Sequence, residues 1–192
     1  MSISRITTKR GDSGQTDLYK VGRVDKNHPH MQALGSLDEL SSWLGLAQAL
    51  NEQAGNDLEA KALAALQEGV GQVLNEVALS PSKSVREDTK VTASHLALVE
   101  RLTEEAKARL AESARQFILP GGKVEVATLH VARTVVRRAE RDVVAIASDL
   151  MEGSLVIPFL NRLSDCCFAL ALAQQEADYV SGSPAAGDLD GQ

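Results

Sequence analysis

HVARTVVRRAERDVV, residues 130–144, has the period of an amphipathic helix. At about 100° per residue, Arg133, Arg137, Glu140 and Arg141 fall within roughly a third of the circumference. Arg138 sits just off that arc. The opposite face carries Val131, Val135, Val136, Ala139, Val143 and Val144 and is expected to pack against apolar neighbours. Like charges at i,i+4 repel by some tenths of a kcal/mol, so something must offset three cations on one face. Two readings stay open from these residues alone. One is a polyanionic ligand held by the arginines. The other is a solvated basic face braced by Glu140 and by acids on neighbouring helices.

The same period recurs on both sides of this segment. Upstream, Ser36 and Glu39 read as an S-x-x-E capping box, followed by a stripe of Leu37, Leu40, Leu44, Ala47 and Leu50. A second helix is expected from about Asp57 to Ala78, and a third from about Thr92 to Ala114, with the polar loop Ser80 to Lys90 between them. FILPGG, Phe117 to Gly122, must break any helix. The arginine helix is expected from about Val124 to Ala147 and the last from about Pro158, a suitable first-turn proline, to Ala177. Residues 1–35 lack a sustained period and read as irregular, and residues 181–192 read as a disordered tail. Short connections between five amphipathic helices predict an all-α, up-and-down bundle occupying residues 1–180.

Composition agrees. The chain has 192 residues, 44 % of them hydrophobic but only 3 % aromatic, which suits one domain of packed helices. A net charge of −6 argues against general binding to nucleic acid or a membrane surface, so the arginine cluster is a local feature. No signal-peptide core is legible at the N-terminus, and no run reads as a membrane span. The only cysteines, Cys166 and Cys167, are helical neighbours pointing in different directions. They are expected to be unbridged core residues of a cytoplasmic protein. A di-iron carboxylate centre is not expected, because no Glu lies three residues before any His; His28 and His30 read as a solvated pair.

Two further constellations carry chemistry. TKRGDSGQT, Thr8 to Thr16, combines glycines, hydroxyls and the cations Lys9 and Arg10, which is the vocabulary of a phosphate cradle, though not of a Walker A loop. A serine-protease reading of GDSG through Ser13 fails because the chain reads as helical throughout. On the last helix, Asn161 and Asp165 lie four apart, as a candidate buried polar pair facing the arginine helix or an inter-helix salt bridge. Gly121 and Gly122 leave the arginine helix with a free N-terminus that favours an anion.

TKRGDSGQT with Arg23 and Lys26, GSLDEL at Gly35 to Leu40, FILPGG, HVARTVVRRAER and FLNRLSD occur in an order and spacing that resemble the PduO-type ATP:cob(I)alamin adenosyltransferases. The resemblance implies a homotrimeric five-helix bundle with sites between subunits. It implies transfer of the 5′-deoxyadenosyl group of ATP to the cobalt of a reduced corrinoid such as cobalamin, with Mg²⁺ and release of triphosphate. Carried over by position, Thr8, Lys9, Arg10, Gly11, Thr16, Asp17 and Lys26 would wrap ATP. Arg137, Arg138 and Arg141, with Glu140 beside them, would hold the triphosphate, and Asn161 would contact ATP. Phe117 would displace the lower ligand of the corrinoid, Asp38 would pair with Arg133 across a subunit interface, and Asp165 would lie at the corrinoid. A corrinoid reductase and an adenosylcobalamin-dependent enzyme become candidate partners. The chain departs from the family's usual loop in having Arg10 and the stretch DLYKVG after Thr16. Two other readings share the loop and the arginines: a module that senses a nucleotide without turnover, and a structural bundle whose arginines serve oligomer contacts.

Overall fold

The computed structural model describes residues 7–83, 86–110 and 119–180, the last four without their side chains. The chain begins with an antiparallel hairpin, β1 (Gln15–Leu18) and β2 (Gly22–Asp25), with Thr16 opposite Val24 and Asp17 opposite Arg23. Five helices follow: α1 (Pro29–Ala54), α2 (Asp57–Leu79), α3 (Ala93–Lys107), α4 (Val124–Val144) and α5 (Val156–Val180). α1 packs between α2 and α4, and α5 packs between α4 and α3. The all-α bundle is therefore as expected, with the hairpin as its one small sheet among the described residues.

Three local expectations need correction. Residues 1–35 are not irregular throughout, since they hold the hairpin and the first turns of α1. That helix starts at Pro29, not at Ser36, with His28 as its cap: the His28 ring Nδ1 accepts the His30 amide at 3.2 Å. Proline at the first position loses no hydrogen bond, and Gly55 ends the helix in the left-handed region. Ser36 is consequently mid-helix and buried, and its hydroxyl donates to Asp142 on α4 instead of capping anything. The pair His28 and His30 is not solvated either. His30 is 2 % exposed and bonds Asp149 through Nε2 at 2.9 Å.

Leu37, Leu40 and Leu44 of α1, Leu63 and Leu66 of α2, Leu129 of α4, and Phe159, Leu160 and Leu163 of α5 form the centre of the core. Val135, Val136, Ala139 and Val143 join them, whereas Val131 and Val144 are exposed, so the apolar face of α4 is narrower than expected. Phe159 fits because Gly69 faces it. A Cβ there would meet the ring at 2.6 Å. Val156–Glu176 is long and apolar enough to cross a membrane by length and composition, contrary to the sequence reading. Most of it is buried within the bundle, so that apolarity serves the core. Cys166 and Cys167 are buried free thiols, as expected; burial pushes the Cys166 thiol up to about 11 and raises Cys167 as well.

Two polar ties close one end of the bundle. The buried carboxylate of Glu76 accepts the Val91 amide at 2.7 Å and the Ser154 hydroxyl at 2.5 Å, holding both long connections against α2. Asp149, just past α4, takes His30 from α1 on its carboxylate and Lys83 on its carbonyl at 3.1 Å. The start of α1, and the hairpin before it, are thereby fixed at the end of the bundle where α4 terminates.

Candidate active site

Arg133, Arg137, Arg138 and Arg141 leave α4 in the C-terminal part of that helix, but their surroundings differ. Arg138 pairs with Glu39 on α1, so the brace expected of a purely structural basic face exists at this one position. Arg141 donates to the Arg137 carbonyl at 2.9 Å. Among the described residues, neither Arg137 nor Arg141 has a carboxylate within salt-bridge distance, and both are exposed. Glu140 turns toward α5, where Asn161 Nδ2 donates to it at 3.3 Å. Asp142 does not brace the arginines, since it accepts Ser36 and, at 3.1 Å, Gln32. Two exposed cations therefore lack a carboxylate at ion-pair distance among the described residues, and guanidiniums so placed can receive an oligophosphate.

Asn161 and Asp165 are both exposed, so they are not the buried pair that their spacing allowed; nor does Asp165 bridge to an arginine among the described residues. Asn161 does face α4, through Glu140. The same stripe of α5 continues to Phe168, which the sequence reading passed over. Its ring is 38 % exposed and the Arg133 guanidinium lies 4.9 Å from its centroid. The spacing 161, 165, 168 placed it on that stripe, and a lone aromatic there was the available signal. His130, one turn before Arg133, is buried with its ring centroid 6.2 Å from that of Phe168. Burial, with the Arg133 charge, holds its pKa below the ordinary histidine value.

Asp38 is exposed on α1, its carbonyl accepting Ser42 Oγ at 3.0 Å, and it does not pair with Arg133 within one chain. Phe117 and the tail from residue 181 lie outside the described residues, whereas the third helix ends at Lys107, short of the expected Ala114. The N-terminus of α4 is separated from Arg137 by thirteen residues, roughly 20 Å of helix. One triphosphate does not span both, and the first turn of α4 already contains Glu125.

The N-terminal loop is compact. Asp12 N bonds Lys9 O at 3.3 Å, Gly14 N bonds Gly11 O at 3.1 Å and Lys26 N bonds Gly14 O at 2.9 Å. The Lys26 ammonium sits over Gly11, 3.1 Å from where a Cβ would be, so glycine here leaves room for the lysine. Thr8 and Lys9 are exposed, and Thr16 is half-buried in β1. The Arg10 guanidinium lies 3.1 Å from Asp17, and both side chains are more than half exposed. A shallow groove of about 450 Å³ runs between the hairpin and the start of α1, lined by Arg23, Asp25, Asn27 and His28 among others. Lys9, Lys26, Arg137 and Arg141 thus stand on the two elements that the ties through Asp149 bring to one end of the bundle.

A family model, Cobalamin adenosyltransferase, matches residues 6–174. The chain belongs to the cobalamin adenosyltransferase family. The Corrinoid adenosyltransferase of Bacillus subtilis is 39 % identical over 169 residues, covering 87 % of this chain and 84 % of its own length. The Corrinoid adenosyltransferase PduO of Salmonella typhimurium is 34 % identical over 169 residues; the alignment takes in 88 % of this chain but only 49 % of that protein. The chain thus spans about half the length of that relative. Among solved structures, a phenylalanine-to-alanine variant of the PduO-type ATP:corrinoid adenosyltransferase from Lactobacillus reuteri, complexed with cobalamin and ATP, superposes with a TM-score of 0.80 at 31 % identity, covering 94 % of this chain and 97 % of that one. An arginine-to-lysine variant of the same protein, complexed with ATP, gives 0.75 at 30 % identity, covering 94 % and 98 %. For a cobalamin adenosyltransferase family member, the unneutralised arginines and the compact N-terminal loop are the residues to test first.

Proposed function

We propose that this chain transfers the 5′-deoxyadenosyl group of ATP to the cobalt of a reduced corrinoid. The cobalt electron pair forms a bond to C5′, the C5′–O5′ bond breaks, and triphosphate leaves with the electrons of that bond. The observation that carries the reading is the unneutralised pair Arg137 and Arg141 beside Glu140 and Asn161. Charge builds on the leaving triphosphate, and donors already in place stabilise it without reorganising; one such donor is typically worth about 3 kcal/mol. Arg138 joins them once its pairing with Glu39 is exchanged for phosphate. Lys9, Lys26, Thr8, Gly11 and Thr16 enclose the nucleotide from the hairpin side.

Mg²⁺ is assigned as a companion of ATP. Magnesium usually binds through phosphate oxygens, waters and one or two carboxylates. That demand suits this chain, which among the described residues has no group of three or more side chains able to cage an ion. Glu140, held by Asn161, is the carboxylate placed to meet it.

The remaining assignments complete the same reading. Phe117 fills the lower axial face of the corrinoid, excluding a nitrogen or water ligand and easing reduction to the nucleophilic Co(I) state. Asp38 and Arg133 pair between subunits of a homotrimer, with Asp165 and Phe168 facing the corrinoid beside them. A corrinoid reductase supplies electrons and an adenosylcobalamin-dependent enzyme consumes the product, in the cytoplasm, where two unbridged thiols persist.

The test is anaerobic incubation with ATP, Mg²⁺, cobalamin and a strong chemical reductant, followed by absorbance. Appearance of adenosylated corrinoid supports the transferase. ATP binding without turnover would make the chain a nucleotide sensor, and neither would make it a scaffold.

A further inference from the structure

Arg23 has no role in the reading above, yet it ties the hairpin to the loop that precedes it. It stands opposite Asp17 across the two-stranded ladder. Its Nη1 lies 3.9 Å from Asp17 Oδ1, and its Nη2 donates to the Arg10 carbonyl at 2.8 Å. The other Asp17 oxygen takes Arg10 Nη2 at 3.1 Å. One carboxylate therefore joins two guanidiniums, and one of these reaches past it to the main chain.

That main chain is a strained turn. Lys9, immediately before the bonded carbonyl, sits at φ 58°, and Gly14 follows at φ 80°. A lysine in the left-handed region is unfavourable by itself and persists only where its surroundings hold it. Two short-range backbone bonds, Asp12 to Lys9 and Gly14 to Gly11, close the turn. The bond from Arg23 is a long-range hold on the same loop, thirteen residues away in sequence. A guanidinium suits this place because its planar fork serves a carboxylate and a carbonyl together, which a lysine ammonium does less well.

We infer that Arg23 is a positioning residue of the nucleotide loop: steadied by Asp17, it fastens the Arg10 carbonyl to β2 and so fixes the turn that presents Thr8, Lys9 and Gly11. The inference rests on the proposed function for the identity of what the loop binds.

The experiment compares Arg23→Gln, Arg23→Lys and Asp17→Asn with the unmodified full chain. In Arg23→Gln the KM for ATP rises about five- to tenfold, while kcat at saturating ATP and the KM for cobalamin stay near their original values. Arg23→Lys, which keeps the charge but not the planar fork, falls between, and Asp17→Asn moves the KM for ATP less than Arg23→Gln. In the ligand-free protein, amide exchange at Asp12 and Gly14 accelerates in Arg23→Gln while the buried turns of α1 and α4 keep their protection. Unchanged exchange at these amides would overturn the inference, whatever the activity. So would a fallen kcat with an unchanged KM for ATP, which would put Arg23 in the chemistry. If the unmodified chain neither binds nor uses ATP, the function reading is what fails, and the exchange measurement still decides whether Arg23 holds the loop.

Discussion

Arg137 and Arg138 are neighbours in the chain and differ in what they touch. Arg138 is spoken for by Glu39, whereas Arg137 and Arg141 face outward without a carboxylate partner among the described residues. Side chains in that position contribute little to folding, because exposed charges are largely solvated. Arg137→Ala or Arg141→Ala is therefore expected to cut turnover by about a hundredfold or more, the usual consequence of removing one donor from a developing charge. The melting temperature should stay within a degree or two of the parent. A large fall in melting temperature with normal turnover would make them structural. His130 behaves in the opposite sense. Its folded pKa lies below its ordinary value of 6.5, through burial first and the Arg133 charge second. The unfolded chain then binds a proton more readily than the folded one, so the contribution of His130 is intact above that ordinary value and is lost as pH falls below it, through the folded pKa. Thermal melts at pH 7.5 and 5.5 should show a loss that His130→Gln reduces. An equal loss in that variant would remove His130 from the account.

At the scale of elements, the contact between α2 and α5 turns on Gly69. Alanine is the better helix former by about 1 kcal/mol, so an exposed glycine in mid-helix would gain from the change. Here the new methyl meets the Phe159 ring at 2.6 Å, and that ring is fully buried with nowhere to swing. Overpacking of this kind costs about 1–3 kcal/mol, so Gly69→Ala is expected to destabilise in a denaturant titration. A stabilised variant would mean that α5 is less tightly seated than described. The helices themselves were legible because their apolar residues repeat at helical spacing over long runs, Asp57–Leu79 almost to the residue. The start of α1 was misread because Ser36 and Glu39 have the spacing of a capping box, while both side chains instead reach α4. Only tertiary packing reveals that. The hairpin escaped notice because its strands have four residues each, too short for a period to register. At the site, Arg137 and Arg141 were legible from spacing, but the capture of Arg138 by α1 and of Arg10 by Asp17 were not. Each depends on a partner, distant in sequence, whose approach the fold decides.

Seen whole, the molecule carries its candidate groups on an outer face. Asp38 is exposed on α1 and Arg133 is half-buried on α4, stacked on Phe168 and without a carboxylate at ion-pair distance among the described residues. If these two residues bridge subunits of a trimer, Asp38→Asn should shift sedimentation toward smaller species or damage a site built from two chains. A fully active monomer would sink both the trimer and the shared site. The central claim is group transfer at C5′, as distinct from hydrolysis at a phosphate, and the products separate the two. With ATP, Mg²⁺ and cobalamin held as Co(I), the nucleotide products should be counted against adenosylated corrinoid as the reaction proceeds. The account predicts one intact triphosphate for each adenosylcobalamin formed. ADP and phosphate in place of triphosphate, or triphosphate without adenosylated corrinoid, would contradict it.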